Sequence, residues 1–380
     1  MAELNRHRYD NAIRVLEALW RKRRMSRADL ARVLRLNRST TGSLVDYLLG
    51  MELLNERPSD VEQRAGTRGG RPPLLVGLES RKGYAIGLDI RCEGILAIAS
   101  DLFGHRILEN EYAVVCGAAT LVASVQTAIS RMVTAVHRDA EDVAKLPPGL
   151  VAVGVGVSGI VDGETGAIRF SRALEISDSL DLASQVAAAA PAPVFVFNDA
   201  DACALGELEF VRSHERDLLF VLGSFNRSAA RAGLGIILDG NLRQSHSGAG
   251  REFRSPFANP NSSEQFAVSE LLSRGEVSSE EAFERFSDEL SVSVAFLVHA
   301  LDLRNIVLGG DLSYNDESFS RVEAKVRDHV RGDTVRRGSQ PLDLRRAETG
   351  DRSVAFGACA GALRKSFETR RFPLFREALV

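Results

Sequence analysis

The chain has 380 residues, 26% of them charged and 44% hydrophobic, which is length enough for two or three domains with substantial cores. No stretch is long and apolar enough to cross a membrane, and the first residues, with Glu3, Arg6 and Arg8, lack a signal-peptide core. The net charge of −3 is unevenly placed: residues 1–80 carry 15 Lys and Arg against 10 Asp and Glu (+5), leaving 33 against 41 (−8) for the remainder. A basic module joined to an acidic body is the pattern of a nucleic-acid-binding head on a separate sensor or enzyme. Cys92, Cys116, Cys203 and Cys359 are scattered and form no CxxC pair, which reads as reduced thiols in a cytoplasmic protein.

Apolar residues recur at Tyr9, Ala12, Ile13, Leu16 and Leu19, one face of a first helix from Arg8 to Trp20. Ser26 and Asp29 form the pattern of a capping box that opens a second, short helix burying Leu30, Ala31 and Leu34. A third helix follows Leu36. Asn37 is placed to cap it, Leu44, Val45, Leu48 and Leu49 form its inner face, and Gly50 is placed to end it. Three such helices describe a helix-turn-helix whose third member enters the major groove by its first turn. Arg38, Ser39, Thr40, Thr41 and Ser43 are therefore the candidate contacts to bases and phosphates. The alternative is a helical bundle with a solvated polar face.

Residues 53–58 and 74–78 read as the two strands of a wing around RAGTRGGRPP, a segment too rich in Gly and Arg to pack as a core. Arginine between glycine and proline suits a narrow minor groove, which makes Arg68 and Arg71 the candidates there. A flexible linker to a body that starts near Arg81 is the other reading of the segment.

The body opens with the strand-like GYAIGLDI, GILAIASDLFGHRI and NEYAVV, followed by a helix over residues 121–136 and the strand LVAVGVGV. PVFVFNDADACALGE then joins a strand to an Ala-rich helix, with Asn198 and Asp199 at the strand's carboxyl end, where ligands of βα units bind. A carboxylate there accepts the proton of a sugar hydroxyl and the amide bonds its neighbour; alternatively Asp199 caps the helix starting near Ala200. A second strand-and-helix series follows: DLLFVLG, LGIILDGNL, a helical region over 279–303, NIVLGG, and helices near 317–330 and 352–367. Two such halves point to a duplicated α/β body with a cleft between its lobes.

SRADLARVLRLNRSTTGSLVDYLLGMELL with GGRPP, then GLDI, VGVSGIVDGETGAI, VFVFNDADACALGE, LGIILDGNL, IVLGGDLS and AFGACAGAL, resemble the blocks of the ROK family (repressors, open reading frames and kinases) in order along nearly the whole chain. The resemblance implies an α/β chain with an N-terminal winged helix-turn-helix over 1–80 and an actin-like, two-lobed sugar-kinase body over 81–380. In the family's kinases the aspartate of the Asn/Asp pair is the catalytic base and the asparagine holds the sugar, roles that fall on Asp199 and Asn198. Glu252 and Gln265 fall where the family places sugar-binding glutamates, against the alternative of a solvated loop. Ser158 and Gly159 are either sugar contacts or a tight turn after a strand.

The chain departs from the kinase pattern in both phosphate loops. Ile90, Arg91, Cys92 and Glu93 follow Asp89 where a kinase has Gly-Gly-Thr, and GSFNRSAARAGLG replaces a glycine-rich second loop. Bulky Arg91, Glu93 and Arg227 are expected to impair the close approach of backbone N–H groups to phosphate; the alternative is that the arginines bind phosphate directly, against the repulsion of Glu93. Gly309 and Gly310 resemble the nucleotide block, with close backbone packing as the alternative. The family's zinc ligands, a His and a CxCGxxGC run, have no counterpart in GAGREFRSPFANPNSSEQFAVS, so no structural zinc is expected.

The expectation is a DNA-binding repressor of sugar-utilisation genes without cofactor or catalytic activity, Asp199 included. Its partners are double-stranded operator DNA and a sugar or sugar derivative, with no membrane, and it forms a homodimer or homotetramer. The alternatives are an ATP-dependent sugar kinase with an autoregulatory head, and a body that serves only as a dimerisation scaffold.

Overall fold

A computed structural model describes residues 2–58, 74–141, 149–188, 190–211, 215–226, 229–243, 253–331 and 341–375. The amphipathic first helix, α1 (Ala2–Lys22), is longer than the sequence reading gave and buries Ala12, Ile13, Leu16 and Leu19. A three-residue strand, β1 (Arg24–Ser26), precedes α2 (Arg27–Leu34), whose cap is Ser26, accepting the Asp29 N–H at 3.1 Å. Arg35, left-handed at φ 54°, turns the chain into α3 (Arg38–Gly50), where Asn37 Oδ1 accepts the Thr40 N–H at 2.7 Å. Gly50 is still helical, and the reversal falls on Glu52 at φ 58°. β2 (Leu54–Pro58) and β3 (Leu74–Leu78) pair antiparallel, with β1 on the other side of β3. Helix-turn-helix and wing strands are therefore both present; Arg68 and Arg71, between the wing strands, lie outside the described residues.

Each half of the body is built on a five-stranded sheet. Lobe 1 takes β4 (Gly83–Arg91), β5 (Gly94–Asp101), β6 (Arg106–Ala113), β7 (Gly149–Val157) and, after the small β8 (Ile160–Val161) and β9 (Ile168–Phe170) hairpin, β10 (Val194–Asn198), in the order β10-β7-β4-β5-β6. Its outer face packs Ile86, Leu88, Val153 and Val155 against α4 (Leu121–Glu141) and α5 (Leu182–Ala187). The cleft helix α6 (Asp199–Gly206) then leads to lobe 2, which takes β11 (Leu218–Phe225), β12 (Ala230–Leu238), β13 (Asn241–Leu242), β14 (Asn305–Gly310) and β15 (Asp343–Arg346), in the order β13-β12-β11-β14-β15. The outer face of this sheet packs against α7 (Ala267–Arg274), α8 (Ser279–Ala300) and α9 (Asp316–Arg331).

The inner faces of both sheets enclose α6 and α10 (Ser353–Glu368), whose small residues let backbones meet. A Cβ on Gly357 would lie 1.9 Å from the Ala202 carbonyl oxygen and one on Gly87 1.8 Å from that of Ala355. The head is joined to the same core. The Trp20 ring lies 5.1 Å from Phe367 of α10 and its Nε1 donates to the Leu102 carbonyl at 2.6 Å, while the Tyr9 hydroxyl donates to the Phe372 carbonyl at 2.9 Å.

Candidate functional site

The carboxyl ends of β7 and β10 face the start of β12 across a cavity of about 480 Å³ lined by both lobes. β10 ends on Asn198, and this residue is the N-cap of α6. Its Oδ1 accepts the N–H groups of Ala200 (3.0 Å) and Asp201 (3.3 Å), and its Nδ2 donates to the Gly159 carbonyl at 3.0 Å. Asp199 Oδ1 also accepts the Ala200 N–H at 2.8 Å, so it shares in the capping of the helix start while its carboxyl lines the cavity. Burial, with Asp89 and Asp201 close by, pushes the Asp199 carboxyl up to about 7 against the opposing Ala200 N–H and Ser158 hydroxyl. A group titrating near neutrality accepts a hydroxyl proton when ionised and donates to a hydroxyl oxygen when neutral.

Ser158 and Gly159 form the opposite wall. Gly159 has φ 128°, and a Cβ there would lie 2.3 Å from the Phe170 carbonyl oxygen, so the tight turn and the cavity wall are the same residues. Gln265 enters from lobe 2. Its Oε1 accepts the Ala232 N–H at 2.9 Å, which fixes the amide and leaves its NH2 to donate. Five sequence candidates therefore share one cavity, and the sixth, Glu252, lies outside the described residues.

On the phosphate side, Asp89 is 7% exposed and its Oδ2 accepts from Arg91 Nε at 2.8 Å; Arg91 Nη2 also donates to the Asp351 carbonyl at 2.9 Å. The guanidinium therefore stands on the carboxylate that opens the first loop. Burial raises the Asp89 pKa even against Arg91. In the second loop the Phe225 N–H donates to Asp311 Oδ2 at 2.9 Å and Asn226 Oδ1 accepts the Ala229 N–H at 3.0 Å. Backbone donors already committed to side chains are not available to phosphate oxygens. Arg227 lies outside the described residues. A Cβ on Gly309 would lie 2.5 Å from the Phe220 ring and one on Gly310 2.3 Å from the Gly223 carbonyl oxygen, so close packing accounts for both glycines.

On the head, Arg38, Ser39 and Ser43 are exposed and Thr40 is half-buried. Thr41 is a correction: it is 1% exposed, and its hydroxyl donates to the Asn37 carbonyl at 3.0 Å. Thr41 lies on the inward stripe of Leu44, Val45 and Leu48, three, four and seven residues on, and so faces the core.

The sequence reading passed over the arginines of the cavity. Arg172 of lobe 1 pairs with Glu264 of lobe 2 at 3.2 Å across its mouth, Arg254 donates to the Asn259 and Ser262 carbonyls, and Arg231 projects from the start of β12. The signal for Arg231 is its spacing from Gly233 and Gly235, alternate residues on one strand face. Among the described residues, no group of three or more His, Cys, Asp or Glu side chains could hold a metal ion, and no helix is long and apolar enough to cross a membrane.

Comparison with known proteins places this geometry. The sequence matches the ROK family over residues 86–253 and 254–365. It is 26% identical over 234 residues to the xylose repressor of Bacillus spizizenii, covering 62% of this chain and 56% of that protein, so the match spans little more than half the length of the curated relative. A solved ROK family transcriptional regulator, described as a homologue of the E. coli MLC protein, superposes with a TM-score of 0.72 at 16% identity, covering 98% of this chain and 99% of that one. The ROK hexokinase of Thermus thermophilus superposes with a TM-score of 0.57 at 20% identity over 75% of this chain and 99% of its own. These likenesses establish a common fold, with the regulator's extending over the head.

Proposed function

The chain belongs to the ROK family, and from that premise we propose that it is a DNA-binding transcriptional regulator, a repressor of sugar-utilisation genes, whose body senses a sugar or sugar derivative. The division into an operator-binding head over 1–80 and a sensor body over 81–380 is part of the proposal. One observation carries it: the sugar side of the cleft keeps Asn198, Asp199 and Gln265 around one cavity, while on the phosphate side Arg91 covers Asp89 and the Phe225 N–H is given to Asp311. This arrangement offers groups for a sugar's hydroxyls and few free donors for a nucleotide's phosphates. The name of the xylose repressors supports the same class.

The route from cleft to head is short. α6 starts at the sugar wall and packs backbone to backbone on α10, whose Phe367 meets Trp20 of α1. A sugar that prefers one closure of the lobes would shift α6 and α10 and, through Trp20, reorient α3 relative to the operator. Such a ligand works through its unequal affinity for the two states, typically about 1 to 3 kcal/mol. As a dimer the molecule would present two heads to the half-sites of a pseudo-palindromic operator.

The test is to incubate the protein with sheared DNA of its own genome at physiological salt and sequence what it retains. One or a few pseudo-palindromic sites are expected, lost with Arg38→Ala; retention of random fragments by both proteins would count against the regulator. A second reading, sugar kinase, is favoured by a carboxyl near 7 at Asp199, suited to take a hydroxyl proton. Sugar-dependent ADP release would support it over the regulator.

A further inference from the structure

Three arginines, Arg172, Arg231 and Arg254, line the cavity with Asp199, Asp201 and Glu264. Glu264 is met by Arg172 at 3.2 Å, and Asp199, titrating near 7, carries only part of a charge at neutral pH. Asp201, buried and itself engaged, lines the same cavity as Arg231 and Arg254. Two of the three guanidiniums have protein partners: Arg172 has Glu264, and Arg254 has the carbonyls of Asn259 and Ser262. Arg231 has none among the described residues and is exposed.

The position of Arg231 follows from strand alternation. A Cβ on Gly233 would lie 3.0 Å from Ala200 Cβ and 3.7 Å from Asp199 Oδ1, and one on Gly235 2.2 Å from the Ala200 carbonyl oxygen. The same face of β12 two residues earlier is Arg231, with Ser224 as its register partner on β11, both in the cavity wall. Two residues of strand are about 7 Å, so a ring held by Asn198 and Asp199 places a substituent within reach of this guanidinium.

We propose that the effector is an anionic sugar, one carrying a phosphate ester or a carboxylate, whose charged group is taken by Arg231 beside Ser224. Guanidinium matches both oxyanions in bidentate geometry. The proposal rests on the reading of the cleft as the sensor site.

The experiment is calorimetric titration of the full chain with paired probes: common aldoses, their terminal phosphates, the corresponding uronic acids, and inorganic phosphate alone. A sugar phosphate or uronate is expected to bind at least tenfold more tightly than its neutral parent, and which of the two does so identifies the anion. Arg231→Ala should weaken that binding by about 10- to 100-fold, with Arg231→Lys intermediate and the affinity for any neutral sugar unchanged. Arg231 is exposed and has no partner among the described residues, so neither substitution breaks an ion pair there. A neutral sugar bound as tightly as its anionic forms and lost with Asp199→Asn would overturn the anionic effector and keep the sensor cleft. Anion binding unaltered in Arg231→Ala, or binding of inorganic phosphate as tight as that of the sugar phosphate, would also overturn it. If no probe binds, both the anionic effector and the sensor cleft fall.

Discussion

Asp199 concentrates the chemistry of the cleft in one proton. An aspartate ionises near 3.9 in an unfolded chain, whereas burial beside Asp89 and Asp201 moves Asp199 to about 7. Because the folded value is the higher, the stabilisation is complete below about pH 4 and is lost as pH rises through 7. Asp199→Asn keeps the shape and removes the titration. Urea unfolding should find the variant more stable than the parent by about 1 to 3 kcal/mol at pH 8, with the gap closing towards pH 4.5. Parallel stabilities at the two pH values would mean that the carboxyl is not held in this environment. Asn198 is a different case: with its oxygen on two helix N–H groups and its nitrogen on Gly159, it serves the fold as much as a ligand.

At the scale of elements, α1 joins the head to the body through Trp20, which is 3% exposed and touches both Leu102 of lobe 1 and Phe367 of α10. Trp20→Phe keeps a ring against Phe367 and removes the N–H given to Leu102. It should leave operator affinity within a few-fold of the parent while reducing the sugar-induced change, as read by fluorescence anisotropy; an undiminished response would remove this contact from the route. The caps at Ser26 and Asn37 were legible in the sequence because each acts within three residues of itself. β1, α5, α7 and β15 were not, being short and without sustained periodicity. α10 was read as a helix, but SVAFGACAGALRKSFE is enclosed by both sheets and has no broad polar face from which to orient it. Asn198 and Asp199 were legible as the carboxyl end of a strand, and Ser158, Gly159 and Gln265 as cavity candidates through resemblance, whereas Arg172 and Glu264, 92 residues apart in sequence, pair only when the two lobes are brought together.

At the scale of the molecule, the inner faces of the two sheets, the enclosed α6 and α10 and the docked head share one hydrophobic core among the described residues. The proposed reading turns on the phosphate side: a kinase uses a sugar only beside a bound nucleotide, while a regulator needs the sugar alone. The decisive measurement is a titration of operator DNA, obtained by genomic capture, with and without a saturating sugar that the protein binds, in the absence of nucleotide. A regulator of the kind proposed changes operator affinity by about 5- to 150-fold on sugar binding and releases no ADP when ATP is then added. Operator affinity indifferent to a bound sugar, together with sugar-dependent ADP release, would contradict it.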